Sequence, residues 1–149
     1  VNAGNAYIYG ASASLGIELG AHVAFDSNMT YTEGKDISNN EPLRHVAPIF
    51  GKAGLTYKAE KIRIEAYTEF NGEKEISDFA PSEQNKPHIY TEDGSPSWAT
   101  VNIKSSYQLN ETLQLNAGIE NILDKHYRPY SSGISAAGRN VILALRATI

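Results

Sequence analysis

The chain has 149 residues, 17 acidic and 13 basic side chains, a formal charge of −4 and no cysteine. That length suits one ordinary domain, the lack of thiols excludes disulfides and thiolate metal sites, and the mild acidity argues against nucleic acid, which selects basic surfaces. Mean hydropathy is −0.37 and no run of about eighteen apolar residues occurs, so no transmembrane helix is expected, although barrel strands remain open because only alternate residues of such a strand meet lipid.

Apolar residues recur with a period of two, the signature of strands, and seven strands are predicted. The first, Ala6–Leu19, carries Tyr7, Tyr9, Ala11, Leu15, Ile17 and Leu19 on one face. A turn at Gly20-Ala21 leads to His22–Glu33, where Val23, Phe25, Ser27, Met29 and Tyr31 alternate with Ala24, Asp26, Asn28 and Thr30. A long connection, Gly34–Ala47, precedes Pro48–Ala59, in which Ile49, Gly51, Ala53, Leu55 and Tyr57 oppose Lys52, Thr56 and Lys58. Glu60-Lys61 turns the chain into Ile62–Asn71, with Ile62, Ile64, Ala66, Thr68 and Phe70 against Arg63, Glu65, Tyr67 and Glu69. The connection Gly72–Pro96 leads to Ser97–Leu109, then a turn at Asn110-Glu111 and Thr112–Ile122 with Leu113, Leu115, Ala117 and Ile119 on one side. The last connection, Leu123–Gly138, ends at Arg139–Ile149, where Val141, Leu143, Leu145, Ala147 and Ile149 share a face. No segment has a helical period of apolar residues.

Short and long connections alternate strictly. The three short ones read as two-residue hairpin turns, and the long ones are rich in Gly, Pro, Ser, Asn and Asp. In an up-and-down meander this places every short turn at one end and every long loop at the other, the asymmetry of outer-membrane barrels. No charge falls on the mid-strand apolar face. Lipid would enforce that, and so would the interior of a soluble sheet packing. Tyr7, Tyr9, Tyr31 and Phe70 lie near the loop end of this face, Tyr57 and Tyr107 near the turn end, as two interfacial belts would. The expected fold class is all-β, an antiparallel up-and-down meander of about seven strands forming part of a larger transmembrane β-barrel. An odd strand count leaves an open edge, costly in lipid, so earlier strands are expected before Val1. The chain also starts with no signal-peptide pattern, as a mature chain or a piece of a longer one would.

The run Gly118-Ile119-Glu120-Asn121-Ile122-Leu123-Asp124-Lys125-His126-Tyr127 resembles the Asn-Leu-Phe-Asp-x-x-Tyr signature of TonB-dependent receptors. Ser132 to Asn140, through Gly138-Arg139-Asn140, resembles the way that family begins its last strand. Ala3 to Gly10, with Ile8-Tyr9-Gly10, is similar to an earlier family segment, and Glu41-Pro42-Leu43 to Pro48 to a loop leading into a descending strand. Ile122-Leu123 stands where the family has Leu-Phe, and Ile149 where it ends in an aromatic. The resemblance implies a twenty-two-stranded barrel with an N-terminal plug. Residues 1–149 would be the C-terminal portion of the barrel domain, without the plug and earlier strands. It further implies an outer-membrane transporter with no cofactor, whose partners are membrane lipid, its own plug, TonB through that plug, and a small scarce nutrient such as a siderophore or other iron chelate.

The loop residues Arg44, His45, His88, Tyr90, His126, Tyr127 and Arg128 are the candidates for ligand capture, with Tyr130 beside them. Arginine pairs with carboxylate or phosphate, and tyrosine offers a flat apolar face with a polar tip. The three histidines His45, His88 and His126 fall one in each long loop, and clustered loops would let them hold a transition metal or a haem-like ligand, although their spacing has no metal-motif character. The alternative reading is a solvated loop surface. A mixed-charge set on the other strand face, including Glu18, Asp26, Lys52, Lys58, Arg63, Glu65, Glu69, Lys104, Glu120 and Arg146, suggests a packed polar lumen. No nucleophile–base constellation, phosphate loop or strand–turn–helix elbow is present, so catalysis has no positive support. Two other readings stay open: a small surface-exposed structural or adhesive barrel, and a soluble lipocalin-like binding module.

Overall fold

The computed structural model describes residues 4–148; Val1, Ala3 and Ile149, named above, lie outside them. The strands are β1 (Ala6–Glu18), β2 (Val23–Asp36), β3 (Glu41–Pro42), β4 (Phe50–Lys58), β5 (Ile62–Asn71), β6 (Lys74–Glu75), β7 (Gly94–Ser95), β8 (Trp98–Gln108), β9 (Leu113–Glu120) and β10 (Asn140–Ala147). One antiparallel sheet runs β1-β2-β4-β5-β8-β9-β10, with β3 added to β2. β6 and β7 form a separate small hairpin. All seven expected strands are present, in the expected meander.

The register joins the apolar positions into rows. Ile17 faces Phe25, Phe25 faces Leu55, Leu55 faces Ala66, Ala66 faces Ile103, Ile103 faces Ile119, and Ile119 faces Val141. The next row, on the opposite face, reads Glu18, Ala24, Thr56, Glu65, Lys104, Gly118 and Ile142. A slip of one residue would exchange the two faces, so the pattern itself pins the pairing. Two glycines on β4 lie close against aromatic residues of β5: a Cβ on Gly51 would come 2.9 Å from Phe70 Cζ in the ring, and one on Gly54 would come 2.9 Å from Tyr67 Cβ.

Nothing among the described residues covers the apolar face. Val141 is 73% exposed, Leu143 75% and Leu145 63%. The buried apolar side chains, Val46, Phe79, Ala80 and Tyr90, all belong to the long connections. The chain thus has a sheet without a core and a small core without a sheet.

Two turns differ from expectation. Glu60-Lys61 is a two-residue turn, closed by Ala59 N–H donating to the Ile62 carbonyl (2.9 Å). The other two hairpins close one residue later, with Leu19 N–H on Val23 (2.8 Å) and Leu109 N–H on Leu113 (2.9 Å). At the latter, Asn110 Oδ1 accepts from Thr112 N–H (3.0 Å) and Leu113 N–H (2.9 Å), so a side chain takes the place of a backbone acceptor and lengthens the loop. β2 also outruns its expected end at Glu33, pairing as far as Ala6 with Asp36. Asp36 then stops the strand by accepting from Ser38 N–H (2.8 Å) and Asn39 N–H (3.2 Å), and these bonds, with that from the Asn39 side chain first among them, hold its carboxyl below the usual range.

The second long connection holds more structure than its composition implied. A 3-10 turn at Ile76–Asp78 and one helical turn, α1 (Pro81–Gln84), follow β6. Pro81 opens α1, where its missing N–H costs nothing. α1 is too short for any apolar period to show.

Candidate ligand site at the loop end

The loop core is aromatic. Phe79, fully buried, packs edge-on against Tyr90 at 4.4 Å between ring centroids and against Tyr130 at 6.1 Å. Burial drives the Tyr130 phenol above its ordinary range. Beside this core, a cleft of roughly 400 Å³ opens between the second and third long connections. Its walls include Pro87, Ile89, Tyr90, Pro96, Trp98 and Pro129, with Lys125, His126, Tyr127 and Arg128 along the third connection. Trp98 and Tyr127 stack at 4.2 Å between centroids, tilted by 34°. Burial, reinforced by Glu69 and Glu120, also raises the Tyr127 phenol above its ordinary range. No carboxylate lines the cleft. A slot that mixes aromatic and proline surfaces with the hydroxyls of Thr91, Ser95 and Ser97, and that has cations on one wall, favours a ligand with a flat surface and negative charge.

Four of the seven candidates, Tyr90, His126, Tyr127 and Arg128, meet at this cleft. Arg128 is already engaged: its Nη1 donates to the carbonyls of His88 (2.9 Å) and Ile89 (3.3 Å), tying the third connection to the second. The His88 side chain and Arg44 are exposed and do not line the cleft. His45 lies at a different junction. Its N–H donates to Glu83 Oε2 (3.3 Å), and its Nδ1 is 3.1 Å from Ser131 Oγ and 3.5 Å from Glu83 Oε1. His126 Nε2 sits 3.2 Å from Ser135 Oγ. Among the described residues, no three His, Asp or Glu side chains are grouped as metal ligands would be. Trp98 and Lys125 escaped the sequence reading. Trp98 stands where β8 begins on the polar face, and its position next to a loop was the signal available.

The third connection is shaped by the signature residues themselves. Asn121 adopts φ +49, which asparagine tolerates better than most. Its Oδ1 accepts from Lys125 N–H (2.8 Å), and its Nδ2 donates to the carbonyls of Lys125 (2.9 Å) and Ala137 (3.1 Å). Its own N–H donates to Asn102 Oδ1 (2.8 Å) on β8. Asp124 Oδ1 accepts from Arg139 N–H (2.8 Å), and Arg139 Nε donates to the Ile122 carbonyl (2.9 Å). A Cβ on Gly138 would meet Asp124 Oδ1 at 2.6 Å. The motif is thus a clasp that closes a seventeen-residue excursion, Ile122 to Gly138, at its neck.

Below the cleft, the polar face is cross-tied. Glu65 on β5 pairs with Lys52 on β4 (2.9 Å), Lys104 on β8 (3.2 Å) and Arg63 (3.5 Å). The same two lysines flank the Tyr67 ring, at 3.8 and 4.9 Å from its centroid. Such a network links three strands through one carboxylate.

Residues 1–122 match the family model described as TonB dependent receptor-like, beta-barrel. No curated protein sequence matches the chain significantly. Among solved structures, the chain is similar to the copper transporter OprC, with a TM-score of 0.82 and 19% identity over 95% of this chain and 23% of that one. It is similar to the ferric enterobactin receptor PfeA of Pseudomonas aeruginosa, with a TM-score of 0.78 and 18% identity over 98% of this chain and 23% of that one. A third is the ferric yersiniabactin uptake receptor FyuA of Yersinia pestis, with a TM-score of 0.70 and 14% identity over 98% of this chain and 24% of that one. The chain spans about a quarter of the length of each, and these likenesses establish the fold. With the family model matching most of the sequence and the meander aligned throughout, the chain belongs to the TonB-dependent receptor-like β-barrel family.

Proposed function

We propose that this chain forms part of the wall and mouth of an outer-membrane TonB-dependent importer. Its apolar rows face lipid and its polar rows face the lumen. Its long connections face outward and help to capture a small anionic ligand, with an iron chelate as the leading class. The observation that carries this reading is the apolar face, free of charge at mid-strand, continuous across the meander from Ile17 to Val141 and left uncovered by the rest of the described residues. In water such a face would be an aggregation surface; in hydrocarbon it is the stable arrangement. The names of the similar structures, among them ferric chelate receptors and a copper transporter, support uptake as the activity. A plug within the lumen, acted on by TonB, completes the proposal as partner and energy source.

Within the cleft, Trp98, Tyr127 and Tyr90 would contact the flat part of the ligand and Lys125 and His126 its charge. Arg128 would hold the roof. The test uses the full-length receptor in detergent, with ferric enterobactin, ferric yersiniabactin and Cu(II) as separate probes. Binding of a ferric chelate that weakens about tenfold or more in Tyr127→Ala and Lys125→Ala, as expected for lost stacking and a lost charge contact, supports the assignment. A receptor that folds in plain buffer without detergent would refute the membrane placement.

A further inference from the structure

Among the described residues, the hydrogen bonds that reach from the third long connection to the backbone of the second come from one side chain, Arg128. We propose that Arg128 reads the ligand as well as holding the roof: Nη1 stays on the second connection while the Nε–Nη2 edge takes a two-oxygen anion of the ligand, a carboxylate or phosphate group. The proposal rests on the cleft being the ligand site.

The acceptors explain why the guanidinium is held where it is. Ile89 N–H and Tyr90 N–H both donate to the Lys86 carbonyl (2.9 and 3.0 Å), which closes a single turn. The carbonyls of His88 and Ile89 stand at the end of that turn, where no further backbone N–H follows to pair them. Arg128 Nη1 supplies the donor, at 2.9 and 3.3 Å. Basic side chains commonly bond the last carbonyls of a turn in this way. Here the bonds also fix the position of a cation on the cleft wall.

The rest of the guanidinium is uncommitted. Nε and Nη2 make no hydrogen bond among the described residues. No described carboxylate lies within ion-pair distance of Arg128, and none lines the cleft. The carbonyls are neutral, so the positive charge is not cancelled. A guanidinium edge meets two oxygens of one anionic group through parallel N–H bonds, a fit that a lysine ammonium lacks. Trp98 and Tyr127, on the same cleft, supply the flat surface. An anion on the free edge would be joined through one planar group to the carbonyls of His88 and Ile89. Binding and the tie between the two connections then reinforce each other.

The experiment uses the full-length receptor in detergent and three probes of one shape: 2-naphthoate, 2-naphthyl phosphate and the neutral 2-naphthylmethanol. Affinity is read from the broadening of the probes' own proton lines. At least one anion should bind about tenfold or more tighter than the alcohol, and the tighter of the two identifies the oxyanion. Arg128→Lys keeps the charge; it should remove roughly tenfold of that advantage and leave the affinity of the alcohol as it was. In hydrogen–deuterium exchange, the bound anion should protect amides of residues 86–91 about fivefold or more in the native receptor and not in Arg128→Lys. Anions no tighter than the alcohol, an advantage that survives Arg128→Lys, or anion binding that leaves residues 86–91 unprotected would overturn the proposal. The assay contains no metal chelate, so failure of the iron-chelate assignment would leave its result readable, and its own failure would leave the membrane placement standing.

Discussion

A lysine placed at Ile103 is the most informative single change. Ile103 is the sixth of the eleven residues of β8, on the apolar face, between Ala66 and Ile119 in the register. Five steps of about 3.3 Å put it roughly 16 Å along the strand from either end. At a tilt near 40° that is about 12 Å along the membrane normal, the middle of an apolar band about 25 Å tall. A lysine there should cost about 2–4 kcal/mol, or roughly a 30- to 900-fold shift in the folding equilibrium. Ile103→Ala supplies the correction for the lost side chain. Two comparisons isolate the cause: Ser106→Lys, on the polar face of the same strand, and Tyr107→Lys, near the turn end, should each carry a charge penalty within about 1 kcal/mol. The assay is guanidinium unfolding of the full-length receptor in phospholipid vesicles, followed by the mobility of unheated protein on gels. Equal penalties at 103 and 106, or a larger one at 107 than at 103, would refute the assignment of this face to lipid.

Three further outcomes are expected. Phe79→Ala empties the centre of the loop core and should cost that unit about 3–5 kcal/mol, seen as protease nicking within residues 72–97 while the barrel's heat resistance on gels is unchanged. Asn121→Ala removes the clasp bonds to Lys125 and Ala137 and should raise amide exchange across residues 123–138 by tenfold or more, since each buried group left unpaired costs about 1–3 kcal/mol. Tyr127 and Tyr130 are raised above the ordinary phenol value. Their neutral forms are favoured by folding, so their contribution to loop stability is constant below about pH 10 and is lost as pH climbs beyond it. Phenolate absorbance should show Tyr127→Phe and Tyr130→Phe each removing a late-titrating group.

The wall was legible because a strand writes its environment into alternate residues; Ile62–Asn71 reads out to the residue. The hairpins at Gly20 and Asn110 were misjudged by one residue, because their closure depends on hydrogen bonds such as those of Asn110 Oδ1, which leave no periodic mark. The loop assembly was the least legible part. Phe79, Tyr90 and Tyr130 come together across connections that sequence spacing cannot relate, and β6, β7 and α1 are each too short for a pattern. Glu83 and Lys74 resemble solvated loop charges in the sequence, yet one is fully buried and the other only partly exposed. The histidines illustrate the same limit: being spread one per loop said nothing about which of them stands where the loops converge.

The small aromatic cluster above the sheet sets rules for change that differ from those of the wall. Along the strands, under the proposed lipid placement, a residue such as Leu143 could become larger or smaller with little penalty, because fluid surroundings adapt to shape while refusing charge. Around Phe79 the contacts are between fixed partners, so shape and polarity are both constrained. The exposed side chains of Lys125 and His126 answer to neither, although the Lys125 backbone is fixed by Asn121. Variation in what the mouth recognises can therefore accumulate in such side chains without retuning either the stave or the knot that holds them.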